Sequence, residues 1–175
     1  MVTAATVAIY LFGYTPMKLR TPLCTIVGAI PGALPPVTGW AAARGELSAG
    51  VWVLFAILFL WQLPHTLAIA TLYREDYARA GFRLLPVVDG DGRSTNRHIL
   101  NGCAALLLAE MLPTLLGLAG PIYFFSSLVL GGAFFACGLR LALAPSALAA
   151  RRVLLASLVY LPLLLAVMAV DKIPS

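Results

Sequence analysis

Long apolar runs separated by short polar clusters dominate the chain. Runs near the 20 or so residues of helix that cross a hydrocarbon layer occur at Cys24 to Trp40, Val51 to Leu72, Ile99 to Leu118, Ile122 to Leu143 and Val153 to Val170. A sixth run, Val2 to Tyr14, falls short of the roughly 17 residues a span needs. It also lacks the basic leader of a secretory signal, so it reads as the back half of a helix whose front is absent. The pattern predicts an all-α, polytopic transmembrane helical bundle with five full spans plus one N-terminal partial span. No repeat, low-complexity tract or soluble linker divides it, so residues 1–175 are expected to form a single membrane domain, N-terminally truncated.

Composition agrees: 61% hydrophobic and 11% charged residues, with a mean hydropathy of +0.94, lie far from the roughly 25% charged residues of a soluble domain. The polar clusters alternate in sign content. One side carries Lys18, Arg20, Arg74, Arg79, Arg83, Arg93, Arg97, Arg140, Arg151 and Arg152; the other has Arg44 and Lys172. Bases accumulate on cytoplasmic loops, which puts the Tyr73 to Asp91 loop in the cytoplasm and both the chain's start and Ser175 on the far side. The net charge of +5 is thus a topology signal, and no nucleic-acid partner is inferred.

Two spans carry unusual residues. Pro31, Pro35 and Pro36 each remove a backbone donor, so a broken or strongly kinked helix is expected between Gly28 and Trp40. Such a break either packs against a neighbour or lines a cavity, and both readings are open. In WQLPHTLAIATLYREDY, a straight helix would put Gln62, His65, Ile69, Leu72 and Asp76 on one face, with His65 about 16 Å deeper than Asp76 and Pro64 kinking the helix nearby. An imidazole inside a span must face the bundle interior. His65 therefore either orients a substrate or ligates a macrocycle iron, or it is a core histidine hydrogen-bonded to a carbonyl.

Arg74, Glu75, Asp76, Arg79 and Arg83 crowd the end of that span. A doubly signed patch at a bilayer surface can hold a divalent cation together with an anionic headgroup or diphosphate, or it is a solvated charge cluster. Glu75 and Asp76 point about 100 degrees apart on a helix, so one carboxylate is expected to dominate. Glu110, inside the fourth span, reads as a structural hydrogen-bonding group near Pro113. Asp89 and Asp91 in VVDGDGRS read as a Gly-rich turn. Cys24, Cys103 and Cys137 show no metal-ligand spacing and read as apolar packing.

Three segments carry a resemblance. They are YTPMKLRTPLCTIVGAIPGALPPVTGWAAARGELS, FLWQLPHTLAIATLYREDYARAG and LLPVVDG. Together they resemble the protoheme IX farnesyltransferases, the heme O synthases among the UbiA-type intramembrane prenyltransferases. The resemblance runs in register along essentially the whole chain and corresponds to the later part of the family's fold.

It implies transfer of a farnesyl group from farnesyl diphosphate to a vinyl group of protoheme IX, converting heme B to heme O in heme A biosynthesis, in a cell inner membrane. It implies Mg²⁺ as cofactor, with Asp76 as metal ligand. Asp76, Tyr73 and Tyr77 take the catalytic positions. Lys18, Arg20, Arg74 and Arg79 would neutralise the diphosphate, His65 would face the heme, and Gln62 would bind substrate. The partners implied are farnesyl diphosphate, protoheme IX and the lipid bilayer. The family's earlier acidic motif, of N-x-x-x-D-x-x-x-D type, has no counterpart here: no Asp precedes Asp76, and Glu46 lies on the opposite side. A second chain completing the metal site is one expectation; a non-catalytic fragment that binds heme or a partner is the alternative. Further departures from the family's pattern are Cys24 for Asn, Thr66 for Phe, and Phe82 and Arg83 ahead of Leu84.

Overall fold

A computed structural model describes residues 2–173, and among them every regular element is helical. The expected position of Ser175 lies outside the described residues. The short first run becomes α1 (Val2–Ala8), a π-helical stretch (Ile9–Tyr14) and α2 (Thr15–Met17). Pro16 cannot donate to the helix ladder. The N–H of Thr15 reaches back to Tyr10 O, and its hydroxyl donates to the same oxygen at 2.9 Å, which widens the turn into π geometry.

The prolines divide the next span as expected. α3 (Cys24–Ala33) gives way to α4 (Pro35–Arg44) at Leu34, whose φ of −78° and ψ of −21° keep the chain right-handed. The break costs the hydrogen bonds that the prolines cannot donate. α5 (Ala49–Leu72) runs as one helix through Pro64, so the proline does not divide it. It stops at Tyr73, where φ is −107° and ψ 28°, and α6 (Arg74–Arg79) starts on a new axis. Gly81, at φ +76°, reverses the chain into α7 (Leu85–Val88). Then come α8 (Arg93–Ala109), α9 (Leu112–Leu115), α10 (Pro121–Leu143) and α11 (Ala147–Val170). Five stretches are long and apolar enough to cross a membrane: Cys24–Arg44, Ala49–Leu72, Arg93–Leu115, Pro121–Leu143 and Ala147–Val170.

α5, α8, α10 and α11 enclose the main core around Ile57, Ile99, Leu106, Tyr123, Phe134, Tyr160 and Leu164. Lipid tails are as apolar as leucine, so close packing and interhelical hydrogen bonds hold such a bundle. Glu110 is fully buried. It accepts a hydrogen bond from the Tyr160 hydroxyl on Oε2, while Tyr123 donates to its backbone oxygen at 2.9 Å. Its Oε1 lies against Gly131 without a hydrogen-bond partner among the described residues. A second, smaller cluster of Cys24, Ala70 and Leu84 packs against Tyr14, Met17, Tyr77 and Phe82.

Cross-links at the two ends show which loops share a side. Arg83 N–H donates to Lys18 O at 2.9 Å at one end. At the other, Gly120 N–H donates to Asp171 O at 2.9 Å and Tyr123 N–H to Asp171 Oδ2 at 2.7 Å. Arg74 shares a depression with Pro145 and Ser146 of the α10–α11 turn, so the loops that carry most of the lysines and arginines gather at one end of the bundle.

Candidate functional site

A cavity of about 200 Å³ opens near the basic end, between the Ile9–Met17 segment, α3, α5 and the turn from Tyr77 to Leu84. Two glycines on α3 shape it. A Cβ on Gly28 would stand 2.7 Å from the Tyr14 ring, and one on Gly32 would stand 2.0 Å from Gln62 Oε1. Each missing side chain lets a polar residue lie across α3. Tyr10 and Tyr14, one helical turn apart, bring their ring centroids to 5.2 Å. The Gln62 amide donates to Ala29 O at 3.3 Å and Leu58 O at 3.1 Å. Both amide protons are spent there, so its oxygen is the acceptor left for a ligand.

Lys18 supplies the charge. Its ammonium sits 5.1 Å from the Phe82 ring centroid, an attraction of cation for ring face. No carboxylate lies within ion-pair distance of it among the described residues. Tyr77 and Phe82 pack at 5.7 Å, and Phe82 N–H donates to Tyr77 O at 3.0 Å, so the turn at Gly81 lays two aromatic faces beside the ammonium. The arrangement pairs a cation able to meet phosphate oxygens with aromatic walls able to shield a carbocation.

Of the residues expected at the site, Lys18, Gln62 and Tyr77 line this cavity. The stripe from Gln62 through His65 to Asp76 does not hold, and two features correct it. α5 ends at Leu72, so Asp76 on α6 no longer follows the face of Gln62. Gln62 and His65 also contact different neighbours: Gln62 reaches α3, whereas His65 Nδ1 lies 2.8 Å from Ser157 Oγ on α11 and its ring stacks on Trp61 at 4.7 Å. Ser157 gives its only proton to Leu154 O at 2.6 Å. Its oxygen therefore accepts from His65 Nδ1–H, and this donor count assigns the lone pair to Nε2.

Asp76 is exposed on α6 and paired with Arg79. Tyr73 is also exposed, as is Arg20. Arg74 lines a separate depression with Thr71, Asp91 and Asn96. Beside that depression Asp89 accepts from Thr95 N–H and Thr95 hydroxyl, each at 2.7 Å, and Asp91 accepts from Arg93 N–H at 3.1 Å, which makes the expected turn. Burial pushes the Asp89 carboxyl up, but the two bonds from Thr95, aided by Arg74, outweigh it and hold the group below its ordinary range. Among the described residues no three His, Cys, Asp or Glu side chains group to hold a metal ion. Asp76, exposed and paired with Arg79, could supply one oxygen to a magnesium shell otherwise made of diphosphate oxygens and water, since magnesium commonly takes one or two carboxylates alongside substrate phosphates.

Tyr10, Tyr14, Thr66 and Phe82 also line the cavity; Thr66 and Phe82 stood out only as departures from the family's pattern, and none of the four was expected at the site. The i, i+4 spacing of Tyr10 with Tyr14, and of Gln62 with Thr66, was the available signal.

Comparison with known proteins shows the family to which the chain is related. The chain is 54% identical over 169 residues to a protoheme IX farnesyltransferase of Solibacter usitatus (strain Ellin6076), covering 97% of this chain and 58% of the relative. The protein of that name from Koribacter versatilis (strain Ellin345) is 53% identical over 174 residues, 95% of this chain and 56% of the relative. That of Sorangium cellulosum (strain So ce56) is 46% identical over 167 residues, 95% and 59%. The chain spans about half the length of these curated relatives. No solved structure matches it. The model of the UbiA prenyltransferase family matches residues 1–161, and the chain belongs to that family.

Proposed function

We propose that the cavity of Lys18, Tyr77 and Gln62 is part of a protoheme IX farnesyltransferase centre. It would move the farnesyl group of farnesyl diphosphate onto a vinyl group of protoheme IX. The observation that carries this reading is an unpaired ammonium set among aromatic rings, at the basic end of a chain whose relatives bear that name. The diphosphate lies toward Lys18, with Arg20, Arg74 and Arg79 on the adjoining surface. As the allylic C–O bond breaks, its electron pair leaves with the diphosphate, whose growing charge Lys18 stabilises. Tyr14, Tyr77 and Phe82 exclude water and face the allylic cation. The vinyl π pair then forms the new C–C bond, and a water entering on the porphyrin side, away from the aromatic walls, adds its oxygen to the cation left there and gives its proton to the released diphosphate.

His65, with its free Nε2, is the group offered to the heme iron. Tyr73 stands at the cytoplasmic surface with Asp76. Magnesium would join this reading as the counter-ion of the diphosphate, with Asp76 as one ligand and diphosphate oxygens, water or carboxylates of a second chain as the others. Residues 1–175 act as one domain in a cell inner membrane, with the Tyr73 to Asp91 loop in the cytoplasm and the C-terminus opposite.

Membranes holding this chain, alone and with the remainder of the Solibacter relative's length co-expressed, test the proposal when given protoheme IX and farnesyl diphosphate. Mass spectrometry is expected to find farnesylated heme, formed much more slowly by Lys18→Gln. Absence of product under both conditions overturns the reading. Heme binding that persists without turnover would instead support a non-catalytic heme-binding protein.

A further inference from the structure

Three arginines that the proposed chemistry does not use, Arg140, Arg151 and Arg152, stand at the basic end of α10 and α11. None has a carboxylate within ion-pair distance among the described residues. Arg140 and Arg152 line one groove of about 230 Å³, together with Ala136, Cys137 and Ala149. Small residues leave the space, and two guanidinium groups border it.

Helix electrostatics account for only one of the two. Arg140 sits in the last turn of α10, where a cation complements the negative end of the macrodipole. Arg151 and Arg152 lie near the start of α11, which has no acid in its first turn. Both stand past that first turn, where the macrodipole gives a cation no support. Selection for bases on one side of the membrane explains arginines in this loop, yet it gives no reason for two of them to border one groove. Both groove arginines are exposed to a passing anion, and the setting suits a bilayer surface, because Leu143 and Leu148 in the adjoining turns of the two helices are 77% and 59% exposed.

We infer that the groove between α10 and α11 binds the phosphate of an anionic phospholipid through Arg140 and Arg152. The acyl chains run along the exposed apolar faces of the two helices. A planar guanidinium meets phosphate oxygens in bidentate fashion, and basic grooves between membrane helices suit such headgroups. The inference does not depend on farnesyl transfer.

Native mass spectrometry of the detergent-solubilised full chain, with phosphatidylglycerol and phosphatidylcholine offered in equal amounts, tests it. The wild-type protein is expected to retain phosphatidylglycerol preferentially. Arg140→Gln with Arg152→Gln is expected to lower that preference roughly tenfold or more, while Arg83→Gln with Arg97→Gln, equal in charge removed, keeps it. Equal loss in both double variants, or no preference in the wild type, overturns the inference. A measurement on the wild type alone guards against a misfolded variant. Cys137 is the half-buried thiol of the groove, whereas Cys24 and Cys103 are buried. N-ethylmaleimide should label Cys137 several-fold more slowly in vesicles containing phosphatidylglycerol than in phosphatidylcholine vesicles. Equal rates would count against an occupied groove.

Discussion

Gly32 and Gln62 share a single space: a Cβ on the glycine would stand 2.0 Å from the glutamine Oε1. The carboxamide is held there by Ala29 O and Leu58 O, so the glycine, set between prolines, is what allows Gln62 to face the cavity. Gly32→Ala should expel that side chain and cost roughly 1–3 kcal/mol through overpacking. Thermal unfolding in detergent checks the stability change. Gln62→Ala placed on top of Gly32→Ala should recover most of it, because the clash disappears.

Lys18 should act on diphosphate and not on the fold. Lys18→Gln removes a charge-assisted contact of about 1.5–3 kcal/mol, a roughly ten- to hundredfold fall in kcat/KM for farnesyl diphosphate. Lys18→Arg should retain most of the activity. Steady-state kinetics at varied farnesyl diphosphate, with heme saturating, will separate the two variants.

Asp76 separates stability from chemistry in the opposite sense to a core residue. Its exposed pair with Arg79 is worth about 0–1 kcal/mol, so Asp76→Asn should leave the melting temperature nearly unchanged. Turnover should fall by about a hundredfold if its carboxylate positions the metal and diphosphate charge. Activity titrated against magnesium is the measurement, and an unaltered magnesium curve would remove Asp76 from the site.

The hydrogen bond between His65 Nδ1 and Ser157 Oγ makes two residues on different helices one unit. His65→Ala should abolish heme binding followed by Soret absorbance. Ser157→Ala frees the ring without removing Nε2 and should weaken heme affinity about tenfold, the usual cost of losing a partner that orients a ligand. If Ser157→Ala has no effect and His65→Ala has none either, the imidazole is a core group.

The turn at Asp89 should respond to acid. Its carboxyl is held below the ordinary value near 3.9, so its stabilisation is fully present above that value and is lost as pH falls through the lower folded value. The difference in melting temperature between the wild type and Asp89→Ala should therefore be flat from neutral pH to about pH 4 and shrink only below it. Arg74, Asp91 and Arg93 surround the turn and stay unaltered in both proteins.

Length and apolarity of the runs, read along the chain, were enough to determine the five spans, the division of the second span by its prolines and the gathering of bases at one end. A bilayer demands internally satisfied backbone, and that demand leaves few alternatives to helices. The segments around Lys18, Gln62 and Tyr77 carried the family resemblance for the same local reason: contiguous residues display it. What one residue faces across the bundle was decided only by tertiary structure. Extending α5 as an ideal helix aligned Gln62, His65 and Asp76, but the change of axis at Tyr73 removed Asp76 from the stripe, and α3 and α11 drew Gln62 and His65 to different sides. Tyr14 entered the cavity because Gly28, fourteen positions away, lacks a side chain. Such fits depend on which helices meet and at what height, and helical periodicity carries no record of either.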